Sequence, residues 1–309
     1  MELDFIRWLR GRLPRHPNLL LGPGDDAAIL RLAEADRCVV TVDMLMDGVD
    51  FELAKTTPAR VGRKSLAVNL SDLAAMAARP LGVVIALSLP RAGGLTLAQG
   101  IYEGLIPLAE QYDLAIAGGD TNSWDGPLVI SITVVGEPTA HGPLLRSGAK
   151  PGDAIVVTGQ FGGSILGHHF DFDPRVREAL WLTAHYPVHA GIDVSDGLSL
   201  DLSRLATESG CGAVLDIGKS PIRSAATELA RQLGDGSTAL DHALSDGEDF
   251  ELILALPPEV AEELLAKQPL GCPLTDIGQF VAEKGLWQID AGGVRRPLEA
   301  RGFEHWLDG

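Results

Sequence analysis

Near its start the chain reads Gly22-Pro23-Gly24-Asp25-Asp26-Ala27-Ala28, a glycine turn that delivers two adjacent carboxylates just before an apolar run at 27–32. A carboxylate at the edge of an apolar environment is costly unless a cation compensates it. Acidic residues also end the segments 39–43, 67–72, 115–120, 192–196 and 245–249. Hard divalent cations fit such oxygen ligands best. The repeated pattern therefore indicates a site that binds divalent cations.

Length and charge limit the class of protein. A chain of 309 residues exceeds the size at which one core keeps growing, so two domains are expected. The formal net charge of −17 argues against a nucleic-acid partner, because such binding relies on clustered Lys and Arg. A phosphorylated substrate carried with magnesium remains compatible with this charge.

Hydrophobic periodicity predicts an α+β first half and a second half built from alternating strands and helices. Long helices are expected at 58–78 and 95–112, with further helices at 174–184, 198–208, 221–232 and 257–266. Proline and glycine cluster between residues 138 and 152, which marks a boundary between domains at 1–140 and 141–309.

Nothing in the sequence predicts a membrane protein. Residues 1–10 have the pattern of an amphipathic helix and lack the features of a signal peptide, and no apolar run approaches the ~20 residues needed to span a bilayer. The three cysteines are far apart and match no metal-ligand spacing, which points to reduced thiols. A cytoplasmic location is expected.

Single acidic turns have a simpler explanation, since Asp commonly caps helices and stabilises turns. That explanation does not suit Asp72, which lies inside a predicted helix, or Asp43, which closes an apolar strand. The glycine-rich segment 159–163 could present backbone N–H groups to a phosphate or form a tight turn. Gly218-Lys219-Ser220 lacks the earlier glycine of a P-loop.

Several motifs, in order along nearly the whole chain, resemble the thiamine-monophosphate kinase family. They are Gly-Pro-Gly-Asp-Asp-Ala at 22–27, Val42-Asp43, Asn-Leu-Ser-Asp-Leu-Ala-Ala-Met at 69–76, Gly-Gly-Asp-Thr at 118–121, Arg-Ser-Gly-Ala-Lys-Pro-Gly-Asp at 146–153, Asp-Val-Ser-Asp-Gly-Leu at 193–198 and Gly-Glu-Asp-Phe-Glu-Leu at 247–252. Together these motifs are specific. The chain departs from the family pattern at Val42, where Thr is usual, and at Asp50, where a substrate-facing His is usual.

The resemblance implies a two-domain fold like that of aminoimidazole ribonucleotide synthetase, with an α/β C-terminal domain. It also implies a homodimer in which the N-terminal domains pair their sheets, and ATP bound in a cleft with several magnesium ions. Metal ligands carried over from the family are Asp26, Thr41, Asp43, Asp72, Asp120, Asp193 and Asp196. Catalysis would depend on Asp26, Asp43, Asp72, Asp120 and Asp196. Contacts to ATP would come from Tyr102, Gly119, Asp120, Arg146 and Ser195, and contacts to the thiamine substrate from Asp50, Glu248 and Phe303.

The implied reaction is the ATP-dependent phosphorylation of thiamine monophosphate to thiamine diphosphate by direct in-line transfer. A phosphate monoester with a second pKa near ~6 is largely dianionic at neutral pH, so no general base is required. Magnesium would bring the two polyanions together. Two alternatives stay open: a related enzyme acting on another phosphorylated or acidic small molecule, and a non-catalytic nucleotide-binding or metal-binding dimer.

Overall fold

The computed structural model describes residues 19–21, 28–30, 37–290 and 292–304. The glycine turn at 22–27, which contains Asp26, lies outside these residues, and so does the helix expected at the N-terminus. The predictions made for those segments therefore remain predictions.

The described residues form two β-sheets with helices packed against them. The strands are β1 (Leu19–Leu21), β2 (Ala28–Leu30), β3 (Cys38–Met46), β4 (Ala78–Pro90), β5 (Ala115–Trp124), β6 (Val129–Pro138), β7 (Ala154–Thr158), β8 (Ala190–Asp193), β9 (Gly212–Asp216), β10 (Leu252–Leu256), β11 (Leu274–Val281), β12 (Gly285–Ile289) and β13 (Arg295–Pro297). The α-helices are α1 (Pro58–Ala75), α2 (Gly94–Gln111), α3 (His168–Asp171), α4 (Val176–His185), α5 (Leu198–Glu208), α6 (Ser224–Leu233), α7 (Ala239–Ser245) and α8 (Pro258–Lys267). Short 3-10 helices occupy Ser164–Leu166 and Ile217–Lys219.

The first sheet has the strand order β1-β2-β3-β6-β4-β5. Its pairs are antiparallel except β4–β5, which is parallel. Side chains alternate between the faces: Val39 and Leu45 of β3 are buried, whereas Val42 and Met44 are exposed. Within the described ranges, one face therefore carries the core and the other is open.

Helix α1 is the central element of this half. Pro58 opens it, and Thr57 caps it by accepting a hydrogen bond from the Arg60 N–H at 3.3 Å. Thirteen of its eighteen residues are buried, so it is enclosed on nearly all sides. It packs on α2 and β3, and also contacts α4 and β8 of the second half.

The second sheet has the order β13-β12-β9-β11-β7-β10-β8. Only β9 and β12 pair in parallel among its described strands. Helix α5 and part of α7 pack on one face of this sheet around Phe161 and Phe280, which are fully buried. The expectation of an α+β fold with two domains is confirmed, while the division at residue 140 stays a prediction.

Most predicted helices are present close to the expected bounds, including α1, α2, α5 and α8. The main differences between the predicted elements and the structure concern the strands. The segment that the sequence analysis ends at Asp120 continues past it, because Gly-Gly-Asp-Thr-Asn at 118–122 belongs to β5 at the edge of the sheet. None of the helices within the described ranges is long and apolar enough to cross a membrane.

Two glycines let α1 and α2 approach closely. A Cβ added to Gly104 would lie 1.7 Å from the Ala59 carbonyl oxygen, and one added to Gly62 would lie 2.0 Å from the Ile101 carbonyl oxygen. The atoms that occupy this space belong to the backbone of the opposite helix, so moving a side chain would not make room for a Cβ atom. The contact therefore requires glycine on both helices.

We predict that Gly104→Ala lowers the free energy of unfolding by about 1–3 kcal/mol, because overpacking forces the helices apart. Chemical denaturation measures this change. Gly271→Ala is the matched control, since nothing lies within 4 Å of a Cβ there. Equal stabilities of the two variants would contradict the close packing of α1 on α2.

Candidate active site

A cavity of about 520 Å³ opens between the two halves of the molecule. Its polar lining comes from Asp43 and Asp50 of the first half and from Ser195, Asp196, Asp246 and Glu248 of the second. Five of these six side chains are carboxylates. The cavity, called the cleft below, therefore concentrates negative charge contributed by both halves.

The rest of the cleft is largely apolar. Val49, Ile165, Leu229 and Phe303 contribute to its lining, and Val49, Ile165 and Phe303 are each more than half exposed. Exposed large apolar side chains grouped at one cavity are typical of a binding site for an organic ring. The Phe303 N–H donates to the Asp196 carbonyl oxygen at 2.9 Å, which ties the apolar wall to the acidic one.

Asp43 shows most clearly that the carboxylates of the cleft require a compensating positive charge. Its Oδ2 atom is buried and has no hydrogen-bond partner among the described residues. Burial, followed by the charges of Asp50 and Asp196, raises the pKa of Asp43 to about 7. A buried carboxylate without a partner favours either a proton or a cation. The donor set at Asp43 thus fits a magnesium ion.

Helix α1 connects the predicted metal ligands. Thr41 Oγ1 donates to Asp72 Oδ2, joining β3 to α1. Ser71 Oγ donates to Asp193 Oδ2 at 2.6 Å, joining α1 to β8. Asp193 itself is buried. Three of the predicted ligands, Thr41, Asp72 and Asp193, are thereby held on adjoining elements.

Asp196 is paired differently. Arg204 contacts Asp196 Oδ2 and, at 2.7 Å, Asp201 Oδ1. Burial and the charge of Asp196 raise the pKa of Asp201 to about 7. Arg204 therefore compensates part of the negative charge at this end of the cleft. Across the described part of the chain, no three His, Cys, Asp or Glu side chains are grouped closely enough to hold one ion.

Asp120 is not brought to the cleft. Strand pairing aligns Asp120 with Ala86, Ala86 with Ser131 and Ser131 with Met44. Because paired residues share a face, Asp120 lies on the exposed face with Met44, whereas Asp43 lies on the opposite face three strands away. The distance across three strands is ~14 Å, so one ion cannot bind both side chains.

The other predicted ATP contacts also lie outside the lining of the cleft, apart from Ser195. Gly119 is on the edge strand β5, where an added Cβ would lie 1.8 Å from the Ile85 carbonyl oxygen. Tyr102 is on α2, partly buried against the core of the first half. Arg146 is half-buried, and its carbonyl oxygen accepts from Ser209 Oγ at 2.8 Å. Their roles stay predictions.

Asp50 faces the cleft but is held by its own turn. Its Oδ2 accepts the Met46 N–H at 2.7 Å. Arg63 of α1 does not pair with Asp50; it donates to the Phe170 carbonyl oxygen and pairs with Asp173. The Asp50 side chain is half-buried, and its carboxylate is held within the turn.

The glycine-rich turn at 159–163 does not present its central N–H groups to solvent. Gly162 N–H donates to Asp249 at 2.9 Å and Gly163 N–H donates to Asp246 Oδ2 at 2.8 Å. Internal carboxylates already occupy these donors. The structure therefore favours the tight turn over a phosphate-binding loop.

Sequence reasoning missed Lys64 and Arg204. The Lys64 ammonium group pairs with Glu248 Oε1 at 2.5 Å, and its side chain is fully buried. A signal was present: Lys64 lies three residues after Val61 and four before Val68, on a face that helical periodicity reserves for apolar residues. A lysine at such a position indicates a buried partner.

Two family models match the chain. They are the AIR synthase related protein, N-terminal domain, over residues 24–137 and the corresponding C-terminal domain over residues 150–287. The thiamine-monophosphate kinase of Rhodopirellula baltica is 43% identical over 312 residues, covering 99% of this chain and 97% of that protein. The chain belongs to the thiamine-monophosphate kinase family.

Solved structures agree with this family assignment. The thiamine-monophosphate kinase of Stenotrophomonas maltophilia matches this family member with a TM-score of 0.72 and 35% identity, over 93% of this chain and 95% of that one. AaThiL complexed with AMPPCP and TMP matches with a TM-score of 0.80 over 98% and 96% of the two chains. At 24% identity, the second match shows the fold alone.

The raised pKa of Asp43 predicts how magnesium should stabilise this family member. The carboxyl group titrates near 3.8 in the unfolded chain and near 7 in the folded one, so the folded state binds the proton more tightly. Its stabilising contribution is therefore present at low pH and is lost as pH rises through about 7. Magnesium binding requires the ionised form.

We predict that magnesium raises the melting temperature by at least ~2 °C more at about pH 8 than at about pH 6. In Asp43→Asn this difference should largely disappear. Differential scanning fluorimetry with magnesium or with a chelator measures both effects. A magnesium shift that is equal in parent and variant at both pH values would contradict a cation at Asp43.

Proposed function

We propose that the chain transfers the γ-phosphoryl group of ATP to the phosphate of thiamine monophosphate in the cleft, with several magnesium ions held by its carboxylates. The observation that carries this proposal is a single cavity with carboxylates from both halves and an apolar wall. Thiamine monophosphate has the matching parts, flat rings and a phosphate. Membership of the family supplies the reaction, and the same fold holds AMPPCP and TMP in AaThiL.

The side chains of the cleft suit a reaction without a general base. The acceptor phosphate is largely dianionic at neutral pH and attacks through its own oxygen. The described residues that line the cleft include no histidine. The work of the protein is then to align two polyanions and to compensate their charge.

Magnesium, when bound, would neutralise phosphate oxygens and hold the acceptor in line with the leaving group. Side chains that would hold it are Asp26, Thr41, Asp43, Asp72, Asp120, Asp193 and Asp196. Asp43 offers the unpartnered buried oxygen, and Thr41 orients Asp72. Asp120 lies outside the cleft and on the opposite face of the sheet from Asp43, so an ion at Asp120 would be separate from one at Asp43.

The organic part of each substrate would meet different residues. We assign Tyr102, Gly119, Asp120, Arg146 and Ser195 to ATP. Glu248, Phe303 and Asp50 are assigned to the thiamine moiety, since all three line the cleft. Phe303 offers a half-exposed ring for stacking, and Glu248 offers a carboxylate to a cationic heterocycle.

The Asp50 carboxylate is the feature that raises one alternative, a different acceptor. A carboxylate ~4 Å from a substrate phosphate would cost on the order of 4 kcal/mol at an effective dielectric of ~20. The hydrogen bond from Met46 N–H holds the Asp50 carboxylate back in its turn, which supports thiamine monophosphate as the acceptor. A related phosphorylated or acidic small molecule is the second candidate.

The exposed face of the first sheet supports a homodimer. Val42, Met44 and Val84 are exposed on it, and β5 is an edge strand whose ten residues are all exposed. An open apolar face beside an unpaired edge is typical of a surface covered by another chain. We assign this surface to the N-terminal sheet of a second copy. The three free buried cysteines support a cytoplasmic location.

The direct test is chromatography of purified protein incubated with ATP, magnesium and thiamine monophosphate. We expect thiamine diphosphate, and we expect Asp72→Asn to lower its rate of formation by at least about a hundredfold, because a carboxylate that would hold the charge-compensating magnesium is lost. Asp125→Asn, which alters an exposed ion pair with Arg91, is the control and should keep the parent rate.

Other results of this assay would support a different function or contradict the proposed metal ligands. ATP consumption with a different phosphorylated acceptor would support the second candidate function. Nucleotide binding without any turnover would support a non-catalytic dimer. A parent-like rate in Asp72→Asn would contradict the assignment of the metal ligands.

Sedimentation equilibrium tests the dimer. We expect the parent to have twice the 32.7 kDa mass of the chain, and Val84→Lys to shift it toward monomer because the charge would be buried in the interface. Leu233→Lys places the same charge at an exposed leucine of α6 and should leave the mass unchanged. A monomeric parent would overturn the homodimer.

A further inference from the structure

Lys64 is a buried cation in the middle of α1. Its side chain is completely inaccessible to solvent, and it heads the largest fully buried side chains of the described residues. Moving an ammonium group out of water is expensive unless hydrogen bonds and opposite charge replace the lost hydration. The partners of this group therefore indicate why a lysine is placed there.

Three segments supply those partners. Lys64 Nζ donates to the Asp50 carbonyl oxygen at 2.7 Å and pairs with Glu248 Oε1 at 2.5 Å. It also lies 5.4 Å from the centre of the Phe170 ring. Asp50 follows β3 in the first half, whereas Glu248 precedes β10 in the second. Lys64 thus joins the two halves of the molecule.

The two polar partners both line the cleft, but Lys64 does not. The lysine lies behind the wall and holds Asp50 and Glu248 from the back. No substrate in the cleft would touch the ammonium group while these residues are in place. Any effect of Lys64 on the substrate must therefore pass through the residues that it holds.

The backbone of Glu248 is fixed by other contacts. Its φ angle is +63°, a conformation that non-glycine residues seldom adopt. Its N–H donates to the Ser195 carbonyl oxygen at 2.7 Å, and its carbonyl oxygen accepts from Ser164 Oγ at 2.5 Å. With the backbone held, the ion pair with Lys64 decides where the carboxylate points.

Lys64 also affects the charge of Glu248. Burial raises the pKa of the Glu248 carboxyl group, and the neighbouring charges of Asp50 and Asp196 raise it further. Lys64 opposes this effect and favours the ionised form. The side chain of Glu248 remains one-third exposed at the cleft, so the carboxylate can still meet a substrate.

We propose that Lys64 is a positioning residue for the acceptor site: it orients the Glu248 carboxylate and fixes the Asp50 turn, so that Glu248 meets the cationic heteroaromatic part of the acceptor. The inference rests on the proposed function, because it concerns the acceptor of that reaction. It assigns the specificity for a cationic ring to a residue that touches no substrate. Binding of the nucleotide should not depend on Lys64.

Steady-state kinetics of Lys64→Met tests the proposal. We expect the KM for thiamine monophosphate to rise about tenfold or more, with kcat and the KM for ATP within about threefold of the parent. Lys55→Met is the matched control. It removes an exposed lysine whose partner is Glu52, and all three constants should stay at their parent values.

A double-mutant cycle separates positioning from general damage. If Lys64 acts through Glu248, Lys64→Met should change the KM for thiamine monophosphate less than about twofold in a Glu248→Gln background. Should Lys64→Met fail to fold, Lys64→Gln, which keeps a donor for the Asp50 carbonyl oxygen, takes its place in the same cycle. Circular dichroism checks the fold of each variant.

Three results would overturn the inference while leaving the proposed function intact. The first is a parent-like KM for thiamine monophosphate in Lys64→Met. The second is an equal effect of Lys64→Met with and without Glu248→Gln, and the third is an equal change in the constants for both substrates. Absence of thiamine diphosphate formation by the parent protein would overturn the proposed function, and the inference with it.

Discussion

The structure depends on a helix, α1, that is buried on nearly all sides and yet carries polar groups. A buried polar group must find a partner, so each such residue of α1 fixes the position of a neighbouring element. Lys64 holds the Asp50 turn and Glu248, Ser71 holds Asp193, and Asp72 accepts from Thr41. These contacts join the two halves of the molecule around the cleft.

The cleft has a surplus of negative charge that the protein itself neutralises only in part. Arg204 compensates Asp196 and Lys64 compensates Glu248, while no group in the described part of the chain hydrogen-bonds to the buried oxygen of Asp43. Ionising Asp43 there costs free energy, which the raised pKa of Asp43 expresses. In this chain of net charge −17, the Asp43 carboxylate thus favours binding of a cation that enters with the substrates.

Much of the fold followed from the sequence because helical periodicity is a strong signal, as in α1 and α2. Strand β5 did not, since Gly118-Gly119-Asp120 has poor strand propensity and only pairing with β4 extends it there. Asp43, Asp196 and Glu248, which the motifs indicate as site residues, line one cleft, while their roles stay predictions. The motifs could not show that Asp120 lies on the other face of the sheet, because register is a tertiary property. Lys64 was missed because its partners are distant in sequence.

We propose that carboxylates from both halves of the molecule hold cations in the cleft. Diffraction from crystals of the protein grown with AMPPCP, thiamine monophosphate and manganese in place of magnesium tests this directly, since manganese gives an anomalous signal. We expect at least two manganese ions, one of them within about 2.5 Å of a carboxylate oxygen of Asp43. Bound nucleotide and thiamine monophosphate without any manganese peak at the carboxylates of the cleft would contradict the account.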